Sequence, residues 1–235
     1  MIVGGGYIGL ETAASLRKKN IEVTVIEAVD RILQRVTAPV MSEFFARVHR
    51  EEGVTVLEGT GLGEFLGSDG YVNGIKTSNG ETIEADIVIV GVGIIVNDEL
   101  AKDCGLSVDN GIVVNDYCET DDPHILAIGD CTNHYNAHYD RRIRLESVPN
   151  ANDQGRIAAK TICGKREAYN SLPWFWSDQY DIKLQIAGLS QGYDDIEVRG
   201  DTSSRSFSVY YLKDGVVIAV DAINSGKEFM QGKKL

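Results

Sequence analysis

Met1-Ile2-Val3-Gly4-Gly5-Gly6-Tyr7-Ile8-Gly9-Leu10-Glu11 opens the chain with three apolar residues and a glycine-rich turn. The turn fits G-x-G-x-x-G: Gly4 permits a tight bend, Gly6 lets backbone approach a pyrophosphate, and Gly9 lets a helix pack closely on the strand. A helix opening there adds free N–H groups and a positive dipole end. Taken alone the pattern is weak, so its context carries the reading. Tyr7–Lys19 reads as a helix with Ile8, Ala13, Ala14 and Leu16 on neighbouring turns, and Asn20 suits its stop. The β-branched run Ile21–Ile26 then ends at Glu27, 18 residues beyond Gly9 and near the ~20 expected for a ribose-binding acid. A carboxylate there accepts from a ribose 2′-hydroxyl and repels a 2′-phosphate, which favours NAD over NADP. Arg31 and Arg35 follow, either as phosphate or adenosine contacts or as solvated charges.

Working outward, Met41–Glu52 is predicted to be helical, with Phe44, Phe45 and Val48 on one face, Gly53 as its stop and Val54–Leu57 as the next strand. Gly59-Thr60-Gly61-Leu62-Gly63 has the wrong spacing for a second fingerprint and reads as a loop. Tyr71–Lys76, Ser78-Asn79-Gly80 and Thr82-Ile83 form a hairpin pattern. The apolar run Asp86–Val90 reads as a central parallel strand, ending at Gly91-Val92-Gly93, a second place where backbone can approach a ligand.

The next segment contains a short helix near Glu99–Cys104, a strand at Gly111–Val114, a turn at Asp121–His124, a strand at Ile125–Ile128 and a helix at Asn150–Cys163. Asp130, just past the Ile125–Ile128 strand, is placed either to accept from sugar hydroxyls at a sheet's carboxyl edge or simply to end a strand. Cys131, His134 and His138 have spacing within the zinc range, but they lack a partner pair and read with Asp140 as a solvated loop, so no metal site is expected. From Pro173 the chain is β-rich, with strands at Lys183–Ala187, Ile196–Arg199, Phe207–Leu212 and Val216–Val220 and no helical period. It reads as a separate antiparallel unit. Pro173-Trp174-Phe175-Trp176 leaves two readings open, core packing or an indole covering a cofactor ring.

With 235 residues, 43% of them hydrophobic, the chain can bury a sizeable core. A net charge of −12 disfavours general binding to nucleic acid or anionic membrane. No apolar run approaches the ~20 residues of a membrane span, and Met1-Ile2-Val3 lacks the charged start of a signal peptide, so a cytoplasmic location is expected. The four cysteines, Cys104, Cys118, Cys131 and Cys163, form no C-x-x-C pair and are expected as reduced thiols.

Six segments in order, GGGYIGLE, VIEAVDRIL, VGVGI, LAIGDC, ESVPNA and PWFWSDQY, resemble the FAD-dependent, NADH-using ferredoxin reductases that serve bacterial oxygenases. The resemblance covers essentially the whole chain. It implies an α/β fold: a Rossmann-like NADH-binding domain at 1–96, the second part of an FAD-binding domain at 97–166, and an incomplete α+β C-terminal reductase domain at 167–235. It further implies that Gly4, Gly6, Ile8, Gly9, Glu27, Arg35, Gly91 and Gly93 bind NAD, and that Glu11 and Glu146 lie toward the nicotinamide. Asp130 would bind the FAD ribityl chain, Val148 would lie at the flavin ring, and Trp176 would be the aromatic near the isoalloxazine. Arg156 would help dock an acidic iron–sulfur ferredoxin, and a homodimer is left open. Val96 stands where the family usually has proline. No acid, base or nucleophile is required for the hydride step, and the lack of C-x-x-C argues against relatives that pass electrons through a cysteine pair. The family has a second glycine-rich fingerprint in an N-terminal FAD half, and the first strand here has three residues against the usual ~5–6. The chain is therefore expected to be a fragment. Two alternatives are a non-catalytic or inactive NADH-binding module and a monodehydroascorbate-type reductase.

Overall fold

The computed structural model describes residues 1–235. The chain begins β1 (Ile2–Val3), α1 (Tyr7–Arg17), β2 (Val23–Ile26), α2 (Pro39–Glu51) and β3 (Val54–Leu57). A meander follows, β4 (Leu62–Ser68), β5 (Tyr71–Thr77) and β6 (Thr82–Glu84), and then β7 (Ile89–Val90). The main strands form one parallel sheet in the order β3-β2-β1-β7, with Ile2 opposite both Val25 and Ile89. α1 buries Gly9, Leu10, Ala13 and Ala14. Ile8, expected on that face, is 69% exposed at the mouth of the glycine turn. α2 starts with Pro39 in its first turn, where a missing N–H costs nothing, and buries Met41, Phe44, Phe45 and Val48.

Two expectations for this half are corrected. The Gly59–Gly63 loop is in part β4, because its small residues allow close strand approach: a Cβ on Gly63 would meet Thr77 O at 2.9 Å. Asp86–Val90 is not a central strand. Only Ile89 and Val90 pair, at the sheet edge, and Ile87 is 68% exposed. An apolar run predicts burial on both faces, but here nothing in the chain covers the outer one.

The middle segment holds α3 (Glu99–Asp103), β8 (Ile112–Val114), a single 3₁₀ turn at Gly129–Cys131, β9 (Thr132–Asn136), β10 (Arg141–Ile143) and α4 (Val148–Ile162). β9 pairs parallel to β8 and antiparallel to β10. Ile125–Ile128 is not a strand, since only Leu126 makes a bridge, to Glu119. The strand lies instead at the polar residues Thr132–Asn136, so the expected solvated loop is half of a hairpin with His134 buried. Polar partners offset part of that burial: Arg142 donates from Nε to Asn133 Oδ1 at 3.1 Å and Gln154 lies 3.2 Å from His134 Nδ1, while His134 Nε2 has no partner. Ser147 caps α4, its hydroxyl accepting from Asn150 N–H.

The C-terminal strands are β11 (Trp174–Gln179), β12 (Ile182–Gly188), β13 (Asp195–Asp201), β14 (Ser206–Lys213) and β15 (Val216–Ile223), an antiparallel sheet in the order β11-β12-β15-β14-β13. α5 (Gly226–Gly232) follows, although no helical period was visible there. Seven residues are too few to show one, and the helix is selected by docking Phe229 against Ala187, Ala222 and Trp174. The sheet is packed against the nucleotide half rather than standing apart from it. One core of 22 buried residues joins Leu10, Phe44 and Phe45 to Leu184, Phe207, Val209 and Ile223, and the Phe44 and Phe207 rings meet edge-on at 4.9 Å. Beside it the buried Asp221 accepts from Tyr211 at 2.6 Å and Thr37 at 2.9 Å, tying β14 and β15 to the start of α2.

Candidate functional site

The glycine turn has room only for glycine at two points. Gly4 takes φ +106°, and a Cβ there would lie 2.3 Å from Gly91 O; a Cβ on Gly9 would lie 2.0 Å from Gly4 O. Gly6, by contrast, meets nothing within 4 Å and starts α1 without a side-chain cap, leaving open space over the first N–H groups of the helix. That space is an anion cradle suited to a pyrophosphate. Glu27 stands beside it, held as an acceptor by Gly5 N–H at 2.7 Å and Val29 N–H at 3.1 Å. Gly91 N–H donates to Val3 O, and Gly93 has φ +115° with open space beside it. Arg31 is occupied by Ser42 Oγ and Gln34 O, whereas Arg35 is exposed.

A cleft of about 260 Å³ opens nearby, where Tyr7 of α1, Val36, Glu146, Ser147, Trp174 and Phe175 converge. The Tyr7 and Phe175 rings pack at 5.0 Å, tilted by 39°. Burial pushes the Tyr7 phenol well above its usual value, with the Asp221 charge adding to the effect, so the ring serves as a neutral wall. Glu146 pairs with Arg144 at 2.7 Å, and Arg144 also donates to the carbonyl of Asp130 at 3.2 Å. Glu146 is therefore tied to the backbone of the Asp130 turn through one guanidinium. Glu11, four residues after Tyr7 on α1, accepts from Ser177 Oγ at 2.6 Å.

Asp130 is exposed on its 3₁₀ turn, and the turn is fixed from beneath. Gly129, at φ +82°, donates to Gln154 Oε1 at 2.6 Å, and Thr132 Oγ1 lies 2.8 Å from Gly129 O. His134 is part of this support. Burial, and then the charge of Arg142, pushes it down to about 4, so it is neutral near pH 7. The exposed Asp130 carboxylate, with Val148 exposed at the head of α4, fits a sugar-like ligand carrying an apolar ring.

The structure thus gathers Tyr7, Glu146 and the Trp174–Phe175 segment in one cleft, with Asp130 linked to it through Arg144. Trp176 stands outside the cleft lining, its indole 5.6 Å from that of Trp174. Arg156 is on the exposed side of α4, paired with Asp153. Arg144, Gln154, Ser177 and Tyr7 were not singled out from the sequence; only the fold brings them to the candidate site. A larger open hollow of about 610 Å³ along the β4–β5 hairpin contains none of the candidate residues.

A glycine turn that opens a helix straight after a parallel strand, with an acid at the end of the next strand, is the layout of a dinucleotide-binding α/β fold. The family model for pyridine nucleotide-disulphide oxidoreductases matches residues 1–155, a reductase C-terminal model matches 174–235, and the chain belongs to the pyridine nucleotide-disulphide oxidoreductase family. It is 47% identical over 237 aligned residues to putidaredoxin reductase of Pseudomonas putida, an alignment covering 100% of this chain and 56% of that protein. Identity to rhodocoxin reductase of Rhodococcus erythropolis is 43%, over 100% of this chain and 55% of that one. The crystal structure of a covalent putidaredoxin reductase–putidaredoxin complex superposes with a TM-score of 0.96 at 48% identity, covering 99% of this chain and 56% of the other. The chain spans about half the length of the curated relatives it matches.

Proposed function

We propose that this chain supplies the NADH-binding part, a portion of the FAD-binding part and the C-terminal part of a flavoprotein reductase that passes electrons from NADH through FAD to a ferredoxin of an oxygenase system. The observation that carries the reading is the cleft in which Tyr7, Glu146 and the Trp174–Phe175 segment meet beside a glycine cradle flanked by Glu27. The names of the relatives, reductases of putidaredoxin and rhodocoxin, support the partner class.

In this reading residues 1–96 bind NADH, 97–166 contribute to the FAD site and 167–235 form the C-terminal reductase domain. Gly4, Gly6, Ile8 and Gly9 hold the pyrophosphate, Glu27 accepts from the adenosine ribose, and Arg35, Gly91 and Gly93 complete the nucleotide contacts. Glu11 and Glu146 face the nicotinamide. Asp130 would accept from the ribityl hydroxyls, Val148 would lie at the ring system, and Trp176 would be the aromatic near it. FAD, when bound there, would supply redox chemistry that joins two-electron and one-electron transfer. The work of these residues is to align two rings and exclude water, with no side chain needed as acid or base. Arg156 offers a cation to an acidic ferredoxin.

The test compares NADH and NADPH titrations of the chain and its Glu27→Arg variant. The parent should prefer NADH by at least about tenfold, and the variant should lose or reverse that preference, because a charge-assisted hydrogen bond is replaced by attraction to the 2′-phosphate. Unchanged preference would reject the assignment of Glu27. Flavin absorbance retained after mixing with FAD and desalting supports the reductase reading, whereas NADH binding without flavin favours an NADH-binding module. With ferredoxin and monodehydroascorbate as alternative electron acceptors, turnover separates the reductase classes.

A further inference from the structure

The segment PWFWSDQY has a second half, Ser177-Asp178-Gln179-Tyr180, that the reading above leaves without a role. Side chains alternate along β11, so Phe175, Ser177 and Gln179 share one face while Trp174, Trp176 and Asp178 share the other. The first set meets the nucleotide domain residue by residue: Phe175 on Tyr7, Ser177 on Glu11, and Gln179 on His49 of α2.

These contacts form one continuous chain of hydrogen bonds. Ser177 Oγ is 2.6 Å from Glu11 Oε1, Gln179 Nε2 is 3.0 Å from Ser177 Oγ, His49 Nε2 is 2.8 Å from Gln179 Oε1, and Tyr180 Oη is 3.0 Å from His49 Nδ1. Ser177, Gln179 and His49 are at most 1% exposed. The direction of every bond is fixed from one end. A carboxylate only accepts, so Ser177 donates to Glu11 and must itself accept from the Gln179 amide nitrogen. The amide oxygen then faces His49, which donates from Nε2 and accepts at Nδ1 from the Tyr180 hydroxyl. Burial lowers the pKa of His49, consistent with the single ring proton this order needs. At the far end Tyr180 sits in the left-handed region at φ +58°, an uncommon place for a bulky residue, and its carbonyl accepts from Lys18 at 3.2 Å.

We propose that Gln179, His49 and Ser177 are positioning residues that fix the Glu11 carboxylate for the nicotinamide and, through the same strand, fix where Trp176 stands relative to it. The proposal rests on the reading that Glu11 faces the nicotinamide. It makes the C-terminal sheet part of the NADH site: four donors, aligned toward Glu11 from two domains, hold one rotamer of an otherwise mobile acid. The glutamine in the middle prevents the chain from conducting protons by simple hydroxyl and imidazole hops, so its effect is on geometry.

The test measures calorimetric affinities of the full 235-residue chain for NADH and for ADP-ribose, which has the same pyrophosphate and adenosine but no nicotinamide. Gln179→Leu and Ser177→Ala should weaken NADH roughly three- to tenfold, the range of one lost hydrogen bond to a charged or polar partner, and leave ADP-ribose unchanged. Ser177→Thr, which keeps the hydroxyl, should restore NADH affinity. Glu11→Ala is the reference. If it weakens NADH selectively and Gln179→Leu does not, the positioning role is overturned and the Glu11 reading stands; if Glu11→Ala leaves NADH unchanged, both fall. Equal loss of NADH and ADP-ribose in Gln179→Leu means a merely structural role and also overturns the proposal. Should Gln179→Leu not fold, Ser177→Ala and its threonine rescue decide on the same criteria.

Discussion

Asp221 is a carboxyl with no exposure to water, and burial pushes it up to about 6 even though Tyr211 and Thr37 donate to it. Its folded value lies above the ordinary 3.8, so its contribution to stability is full below about pH 4 and is lost as pH rises through 6. His134 behaves in the opposite way. Its folded value of about 4 lies below 6.5, so its contribution is full above pH 6.5 and is lost as pH falls through 4. The two slopes oppose each other between pH 4 and 6. Asp221→Asn keeps an oxygen for both donors and removes the buried charge, leaving the His134 slope uncompensated. Thermal unfolding of the variant should show Tm rising with pH from 4 to 6.5 more steeply than the parent's, with the variant the more stable above pH 6. A parallel pair of Tm curves would count against the burial argument.

At the scale of the element, the turn between β1 and α1 divides its glycines by purpose. Gly9 is required by packing, since a Cβ would strike the Gly4 carbonyl at 2.0 Å, a backbone atom with no freedom to move. Gly6 has open space around its Cβ position and an ordinary negative φ of −79°. Gly6→Ala should therefore leave the unfolding free energy within about 1 kcal/mol of the parent's, while weakening NADH at least about tenfold by filling the pyrophosphate cradle. Gly9→Ala should lower both Tm and NADH affinity. If Gly6→Ala binds NADH like the parent, the cradle is not where the pyrophosphate lies. The edge strand β7 and the segment after it teach a related lesson, because Val90, Val92, Ile94 and Ile95 are apolar and exposed. Hydrophobicity in sequence marks what a strand can bury, and the fold determines what covers it.

For the whole molecule, the main consequence is the shared core. α2 lies against the C-terminal sheet through Phe44 and Phe207, and Arg205 of the sheet side also pairs with Glu52 of the nucleotide half at 3.0 Å. The surface pair contributes at most about 1 kcal/mol, whereas emptying the aromatic contact costs about 3–5 kcal/mol. Phe44→Ala should therefore lower the midpoint of a denaturant unfolding curve in both nucleotide-half and sheet signals together. Separate transitions, with the sheet unshifted, would contradict a single core.

The glycine turn, Glu27, the helix α2 and four of the five C-terminal strands were legible in the sequence, because each depends on short-range rules: backbone freedom, side-chain period and turn chemistry. The six segments also carried the family. The strand at Thr132–Asn136 was hidden because its residues are polar, and only the fold supplies Arg142 to Asn133 and Gln154 to His134. Helix α5 was hidden because seven residues show no period until Phe229 finds its pocket. The site divides in the same way. Sequence alone determined the glycine turn and the acid beside it. Only the tertiary structure brought Glu146 to Tyr7 and ran Ser177, Gln179 and His49 to Glu11, because contacts between residues more than a hundred positions apart leave no local pattern in the chain.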